Sequence, residues 1–372
     1  MSQNRQELLT RDAECYAGER LRVARLNYPP RWVTIGISSM CTNHCTFCSY
    51  HSLDARDGGS NVYGLKYVMP LVRFKSQVDF FHAGRVPHVH ICAPGEPFLH
   101  PDIMAMIDHV IARYGKASFQ STFNRVVMAR GDYLSKILDR RVQISYIVTD
   151  IQAGEATGHE AIKRGSSFAD LLTTLQILSD AGIRIIGNFI ITRENHANLP
   201  GLINTLYKHG IRLRLNVENL FPHMFNEFTA MENVYHLGDR DIAASLQEAR
   251  ELAKATRESI ELTLPTPFGD PVARCSVFWD KIQIWPVKGV DPARYDENLV
   301  PHACNAVVRG DMNSLGYVSD YPDVMALWNN PKLVALRTKI LAGEAPDRFC
   351  WSCPCGVALK GSGLDKVSGP AF

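Results

Sequence analysis

Three thiols stand close together at Cys41, Cys45 and Cys48, spaced C-x3-C-x2-C, with Phe47 directly before the last. Three clustered thiolates can hold three irons of a 4Fe-4S cluster and leave the fourth iron without a protein ligand. An open coordination position is what a catalytic metal site needs, whereas structural sites are closed. The same thiols also admit a zinc site with His44 as fourth ligand, or a cluster of core cysteines. A second group, Cys275, Cys304, Cys350, Cys353 and Cys355, lies toward the C-terminus. Four of these thiols would close around either a second iron–sulfur cluster or a zinc ion. Eight of the ten cysteines thus fall in two groups, a distribution that favours metal binding over disulfides in a reducing compartment.

The elements that must position these thiols are legible as an alternation. Short apolar runs at Trp32–Ser38, Val86–Cys92, Ala117–Ser121, Val142–Ile147, Ile183–Ile191 and Ile211–Val217 read as six strands. Between them, Phe168, Leu171, Leu172, Leu175 and Leu178 recur at helical spacing, as do Leu199, Leu202, Ile203 and Leu206. Strands alternating with helices argue for a parallel sheet with crossover helices, either a partial β/α barrel or an open doubly wound sheet. Cys41 follows the first strand directly, and the C-terminal end of a barrel strand is where such folds place active sites. Beyond residue 220 a helix through Ile242, Leu246, Ala249 and Leu252 and a short strand near Glu261 precede a loop-rich tail. That tail contains one clear helix near Leu333–Leu341, and its thin core suggests dependence on a metal.

Hydrophobic residues at 46% and charged residues at 21% allow a sizeable core and exclude wholesale disorder. Forty basic and 38 acidic residues leave a formal charge of +2, with no basic arm for nucleic acid. The polar N-terminus carries no signal core, and no apolar run is long enough for a membrane span. The expectation is a cytoplasmic protein with neither nucleic acid nor membrane as partner.

The C-x3-C-x2-C spacing with Phe47 resembles the signature of the radical S-adenosylmethionine (SAM) superfamily. The resemblance implies a partial (β/α)6 barrel in which Cys41, Cys45 and Cys48 hold a 4Fe-4S cluster whose open iron binds SAM. One electron then cleaves SAM to a 5′-deoxyadenosyl radical, which abstracts hydrogen from substrate. Gly95-Glu96-Pro97 is similar to the family's GGEP segment, although Pro94 stands where the first glycine belongs. It implies that Glu96 receives the SAM ammonium. Ser145 and the segment Arg164-Gly165 through Phe168 match further family positions, with Arg164 meeting the SAM carboxylate. Asn188 would reach the ribose or carboxylate, or else is a satisfied sheet residue. The resemblance covers residues 32–217.

The C-terminal cysteines resemble the SPASM/twitch extensions of that superfamily, with Cys275 before a hairpin strand and Ala326–Arg337 as the helix before the last cysteines. Five cysteines rather than about seven imply one auxiliary 4Fe-4S cluster, held by Cys275, Cys304, Cys350 and Cys353. Cys355 is then an alternative ligand, a structural thiol or a hydrogen donor. Cys92 reads as core, and Cys15 carries no argument. The implied organisation is an N-terminal extension at 1–31, the barrel at 32–260 and a small, loop-rich iron–sulfur domain at 261–372.

A closed auxiliary cluster can accept an electron, so the resemblance extends to the 2-deoxy-scyllo-inosamine dehydrogenase and aminoglycoside epimerase types. The expected reaction is oxidation or epimerisation at a hydroxyl-bearing carbon of a small sugar or aminocyclitol in antibiotic biosynthesis. A flavodoxin or ferredoxin would be the reductant. The alternative is thioether or formylglycine formation on a peptide, for which 40 residues before Cys41 leave little room for a recognition domain. Candidate substrate residues are His88, His90, His223 and Asp270, with Glu218 and Asn219 ranked first because they follow the sixth strand.

Overall fold

The computed structural model describes residues 23–48, 51, 67–93, 95–220, 231–256, 259–268, 277–286, 299–302 and 315–344. Its strands are β1 (Trp32–Gly36), β2 (His88–Cys92), β3 (Ala117–Gln120), β4 (Ile144–Asp150), β5 (Ile185–Ile191), β6 (Leu213–Asn219), β7 (Ile260–Thr263), β8 (Lys281–Pro286) and β9 (Leu299–His302). They form one sheet in the order β7-β6-β5-β4-β3-β2-β1-β8-β9. Strands β1 to β7 lie side by side in chain order and parallel. β8 extends the parallel sheet beside β1, and β9 returns antiparallel to β8. The partial barrel expected from the sequence is therefore present, with eight parallel strands among the described residues rather than six.

Parallel strands need long crossovers. Those crossovers include the helices Leu71–Ala83, Ile103–Tyr114, Phe168–Asp180, Asn198–Lys208 and Arg240–Ala255. Each presents an apolar stripe to one face of the sheet. Val33, Ile35, Ile91, Phe119, Ile147, Phe189 and Leu215 point into that layer and meet Phe74, Ile107, Leu175 and Leu202, all buried in one continuous core. The alternate residues of the same strands, among them His90, Tyr146, Asp150, Asn188, Asn216 and Glu218, are half-buried and line the inside of the partial barrel.

The fourth strand departs from expectation. Val142 is 72% exposed in a short 3-10 turn at Arg141–Gln143, and β4 begins only at Ile144. Ile147, Thr149 and the following Ile151 are all buried, so the alternation runs on and carries the strand to Asp150. This shift of frame decides which residues reach the functional end of the barrel.

The C-terminal part shares the barrel's core over its described residues. Phe278, Trp279, Leu315, Val324, Leu327, Trp328 and Leu333 join the same cluster. The division expected at residue 261 falls within β7, and the sheet continues across it through β8. Arg337, fully buried in the helix Pro331–Leu341, ties three segments together. Its Nε donates to Phe278 O at 2.8 Å and its Nη1 to Ala24 O at 3.2 Å, and the guanidinium sits 4.3 Å over the Trp328 ring. Asn329 adds a two-way clasp on the backbone of Leu26.

Two substitutions test this layering in opposite directions. Leu175→Ala empties a fully buried position and is expected to cost about 3 kcal/mol. Gly201→Ala, in an exposed helical position where a Cβ meets nothing within 4 Å, should gain about 1 kcal/mol. Urea denaturation followed by circular dichroism measures both. A Leu175→Ala protein as stable as the parent would contradict the placement of that helix.

Candidate active site

The chain leaves β1 at Gly36 and reaches Cys41 on the side of the sheet where every parallel strand ends. Residues 42–46 are held there by a second segment. His44 N donates to Arg164 O at 2.8 Å and Thr46 N to Ile162 O at 2.9 Å. Gly165, at φ 88°, lies so close that a Cβ would come within 2.9 Å of Thr42 O. A third segment packs from the other side, where Glu96 N donates to Met40 O at 2.7 Å. A Cβ on Gly95 would stand 1.9 Å from that same carbonyl, so only glycine fits. Asn124 bridges the pieces, its Nδ2 donating to Gly165 O at 2.9 Å and lying 3.3 Å from Asn43 Oδ1.

Cys41, Cys45 and Cys48 are half-buried thiols in this loop. Burial pushes Cys41 up to about 12 and raises Cys45, while the nearby Lys163 pulls both down. Among the described residues no three His, Cys, Asp or Glu side chains converge on one ion position. His44 Nδ1 is engaged 2.9 Å from His51 O. Buried nearby, Asn43 Nδ2 lacks a hydrogen-bond partner, and so does Asn188 Oδ1 on β5. Buried polar atoms are rarely left unpaired, so the three thiols, the close glycines and these orphaned amides fit an iron–sulfur cluster with a polar ligand beside it.

Glu96 is fully buried, and the chain itself meets its acceptor capacity. Oε1 accepts from Phe98 N and Ser121 Oγ, and Oε2 from Thr122 N at 2.6 Å and Thr122 Oγ1 at 2.5 Å. Burial raises its pKa, and these four donors oppose the rise. A ligand ammonium at Glu96 would have to share an oxygen with one of the hydroxyls. Ser145 is not brought to the site. It stands at the opening of β4, where its Oγ donates to Ala117 O at 3.0 Å, with the length of the strand between it and Asp150. Asn219 also turns away, its amide clasping Tyr235 N and O at 2.9 Å each.

Glu218 does face the barrel interior. Burial raises its pKa, with Lys281 acting against the rise and Asp150 adding to it. His90 shares this wall, its Nδ1 3.0 Å from Ser118 Oγ and its ring stacked on Tyr146, and burial lowers it to about 4. His88, at the start of β2, is exposed. Cys92, expected in the core, is buried at the end of β2, and its thiol donates to Gln120 Oε1 at 2.9 Å. His223, Asp270, Cys275, Cys304, Cys350, Cys353 and Cys355 lie outside the described residues.

Sequence reasoning missed Lys163 and Asp150. It selected Arg164 from the basic pair, yet Arg164 is half-buried while Lys163 is 2% exposed, with Nζ 3.4 Å from Asp150 Oδ2. One signal was present: Lys163 follows the fully buried His159 by four residues, which places both on one helical side.

The radical SAM superfamily model matches residues 35–206. By sequence, no curated protein matches the chain. By structure, SuiB of Streptococcus suis bound to S-adenosylmethionine aligns with a TM-score of 0.63 and 14% identity, over 96% of this chain and 78% of that one. SuiB bound to the precursor peptide SuiA aligns with a TM-score of 0.64 and 14% identity, over 97% and 78%. BtrN in complex with AdoMet and 2-DOIA aligns more weakly, at a TM-score of 0.42 and 11% identity over 84% and 88%. At these identities the SuiB likeness speaks to fold alone. Among the described residues no helix is long and apolar enough to cross a membrane.

Gly95→Val is expected to force Met40 away and to abolish loading of the iron–sulfur cluster during anaerobic reconstitution. Iron content and the visible absorbance of the cluster report the loss. Normal loading in this variant would mean that the approach of the two segments is not needed.

Proposed function

We propose that the chain, which carries a radical SAM domain at residues 35–206, oxidises or epimerises a hydroxyl-bearing carbon of a small, polar substrate such as a sugar or aminocyclitol. The observation that carries this reading is the half-buried, inward-facing carboxyl of Glu218 at the functional end of β6, on an interior wall lined by Asp150, Asn188, Asn216 and His90. Such a wall suits a substrate rich in hydroxyl and amino groups. When bound, the cluster and SAM supply a 5′-deoxyadenosyl radical that takes one hydrogen atom from the substrate carbon. Cys41, Cys45 and Cys48 hold that cluster, and Asn188 offers its free carbonyl oxygen to the SAM ribose or to substrate. Gly95 and Gly165 bring their backbones against the cysteine loop and fix it.

Glu218 then accepts the hydroxyl proton from the substrate radical. One electron must still leave for a carbonyl to form, and Cys275, Cys304, Cys350 and Cys353 would hold the auxiliary cluster that takes it. Hydrogen atom, proton and electron together account for the two-electron oxidation. In the epimerising variant of this chemistry Cys355 would instead return a hydrogen atom to the carbon, and the thiyl radical left behind would regain an electron from the reductant and a proton from water. A flavodoxin or ferredoxin would reduce the first cluster. The second reading, modification of a peptide, draws its support from the fold-level likeness to SuiB, a protein seen with a precursor peptide.

The test is anaerobic reconstitution with iron, sulfide and 5′-deoxyadenosine quantified under dithionite, followed by incubation with a panel of aminocyclitols and aminoglycosides. About eight irons per chain are expected for two 4Fe-4S clusters, together with deoxyadenosine and a carbonyl product trapped by borodeuteride. Deoxyadenosine without reaction of any panel member, but with a mass change in a supplied peptide, would replace the first reading by the second. Cys350→Ala with Cys353→Ala should keep SAM cleavage and lose the product.

Glu218 also predicts a pH profile. Its raised pKa means that the base is lost as pH falls through a value above the ordinary carboxylate range. Product formation by the parent should fall on that acidic limb, and Glu218→Gln should be slow at every pH without the limb. An unchanged profile in Glu218→Gln would assign the proton to another group.

A further inference from the structure

We propose that Lys163 is a positioning residue whose buried ammonium, held by Asp150, is a fixed countercharge to Cys41 and Cys45 and raises the reduction potential of the cluster they hold. The proposal rests on the reading of these cysteines as iron ligands.

Lys163 follows the helix Ala156–Ile162 and is 2% exposed. Its neighbours Ile162 and Arg164 lend their carbonyls to Thr46 N and His44 N, so the backbone of this segment is pinned to the cysteine loop on either side of it. The seam holds the Cα of Lys163 against the cysteine loop, and the side chain is buried there beside Asp150. An ammonium removed from water needs compensating charge. Asp150 Oδ2 at 3.4 Å supplies part of it. Lys163 also interacts electrostatically with Cys45 and Cys41, and Asp150 acts on Cys45 with the opposite sign. A hydrogen bond 3.4 Å long is a poor one, so Asp150 alone is weak justification for burying the charge. The remaining compensation comes from the thiolates once they carry iron.

Reduction adds one negative charge to the cluster, and cluster potentials respond to net charge and to solvent exposure. A cation fixed nearby in a medium that screens weakly favours the reduced form, and a fixed carboxylate disfavours it. Lys163 and Asp150 thus pull the potential in opposite directions, which a merely structural pair would not do.

The experiment is a redox titration of the reconstituted full chain, followed on the EPR signal that disappears in Cys41→Ala. Lys163→Met is expected to lower the midpoint, Asp150→Asn to raise it, and Lys163→Arg to stay near the parent, all at unchanged iron content. Midpoints that do not move, or that move in the same direction in Lys163→Met and Asp150→Asn, would overturn the proposal. Should Lys163→Met fail to load iron, Lys163→Gln decides in its place: a lowered midpoint at unchanged iron content supports the countercharge role, and an unmoved one removes it. Parent protein that takes up no iron would overturn the cysteine reading itself, and this proposal with it.

Discussion

Parallel pairing imposes one polarity on the whole molecule. Strands β1 to β7 follow one another in chain order, and each can be reached only by a crossover that returns to the opposite end. The C-terminal ends of β1 to β8 therefore open on the same side, and the chain must turn there repeatedly. Cys41, Glu96, Thr122, Asp150 and Glu218 come from five different strand ends, yet they share one rim for this reason alone. The apolar helix layer fixes which face of each strand is buried, so the remaining face has no choice but to line the interior.

Within that rim, the close fit rests on backbone more than on side chains. Gly95 against Met40 and Gly165 against Thr42 bring three separated segments to contact distances that a Cβ would forbid. Glu96 strengthens one junction from beneath by gathering donors from Phe98, Ser121 and Thr122. These contacts hold the cysteine loop in place before any cofactor is considered. A carboxylate that the family pattern presents as a ligand residue thus also works as an internal clasp, and the two roles draw on the same lone pairs.

The C-terminal part is joined to the barrel by the same economy. β8 takes the free edge of β1, and Arg337, Asn329 and Trp279 bind carbonyls of the segment that leads into β1. β8 and the helix Pro331–Leu341 are in this way tied to the first strand of the barrel, the strand that leads into the loop of Cys41, Cys45 and Cys48.

The sequence by itself determined the sheet, its parallel sense and the cysteine loop at its functional end, because periodicity and spacing are local properties that no distant contact has to complete. Helical stripes such as Leu171–Leu178 and the triad Cys41, Cys45 and Cys48 are of that kind. The inward-facing place of Glu218 was legible because it lies near the end of a strongly patterned strand. Only tertiary structure decided the rest. Ser145 and Asn219 looked equally placed, but the frame of β4 strands Ser145 at the wrong end, and the alternation of β6 turns Asn219 toward Tyr235. Lys163 was hidden beside Arg164 because the choice between adjacent basic residues depends on which one the seam at His44 and Thr46 turns inward. Burial of a charge is a property of the neighbours that surround it, and those neighbours come from strands far apart in the chain.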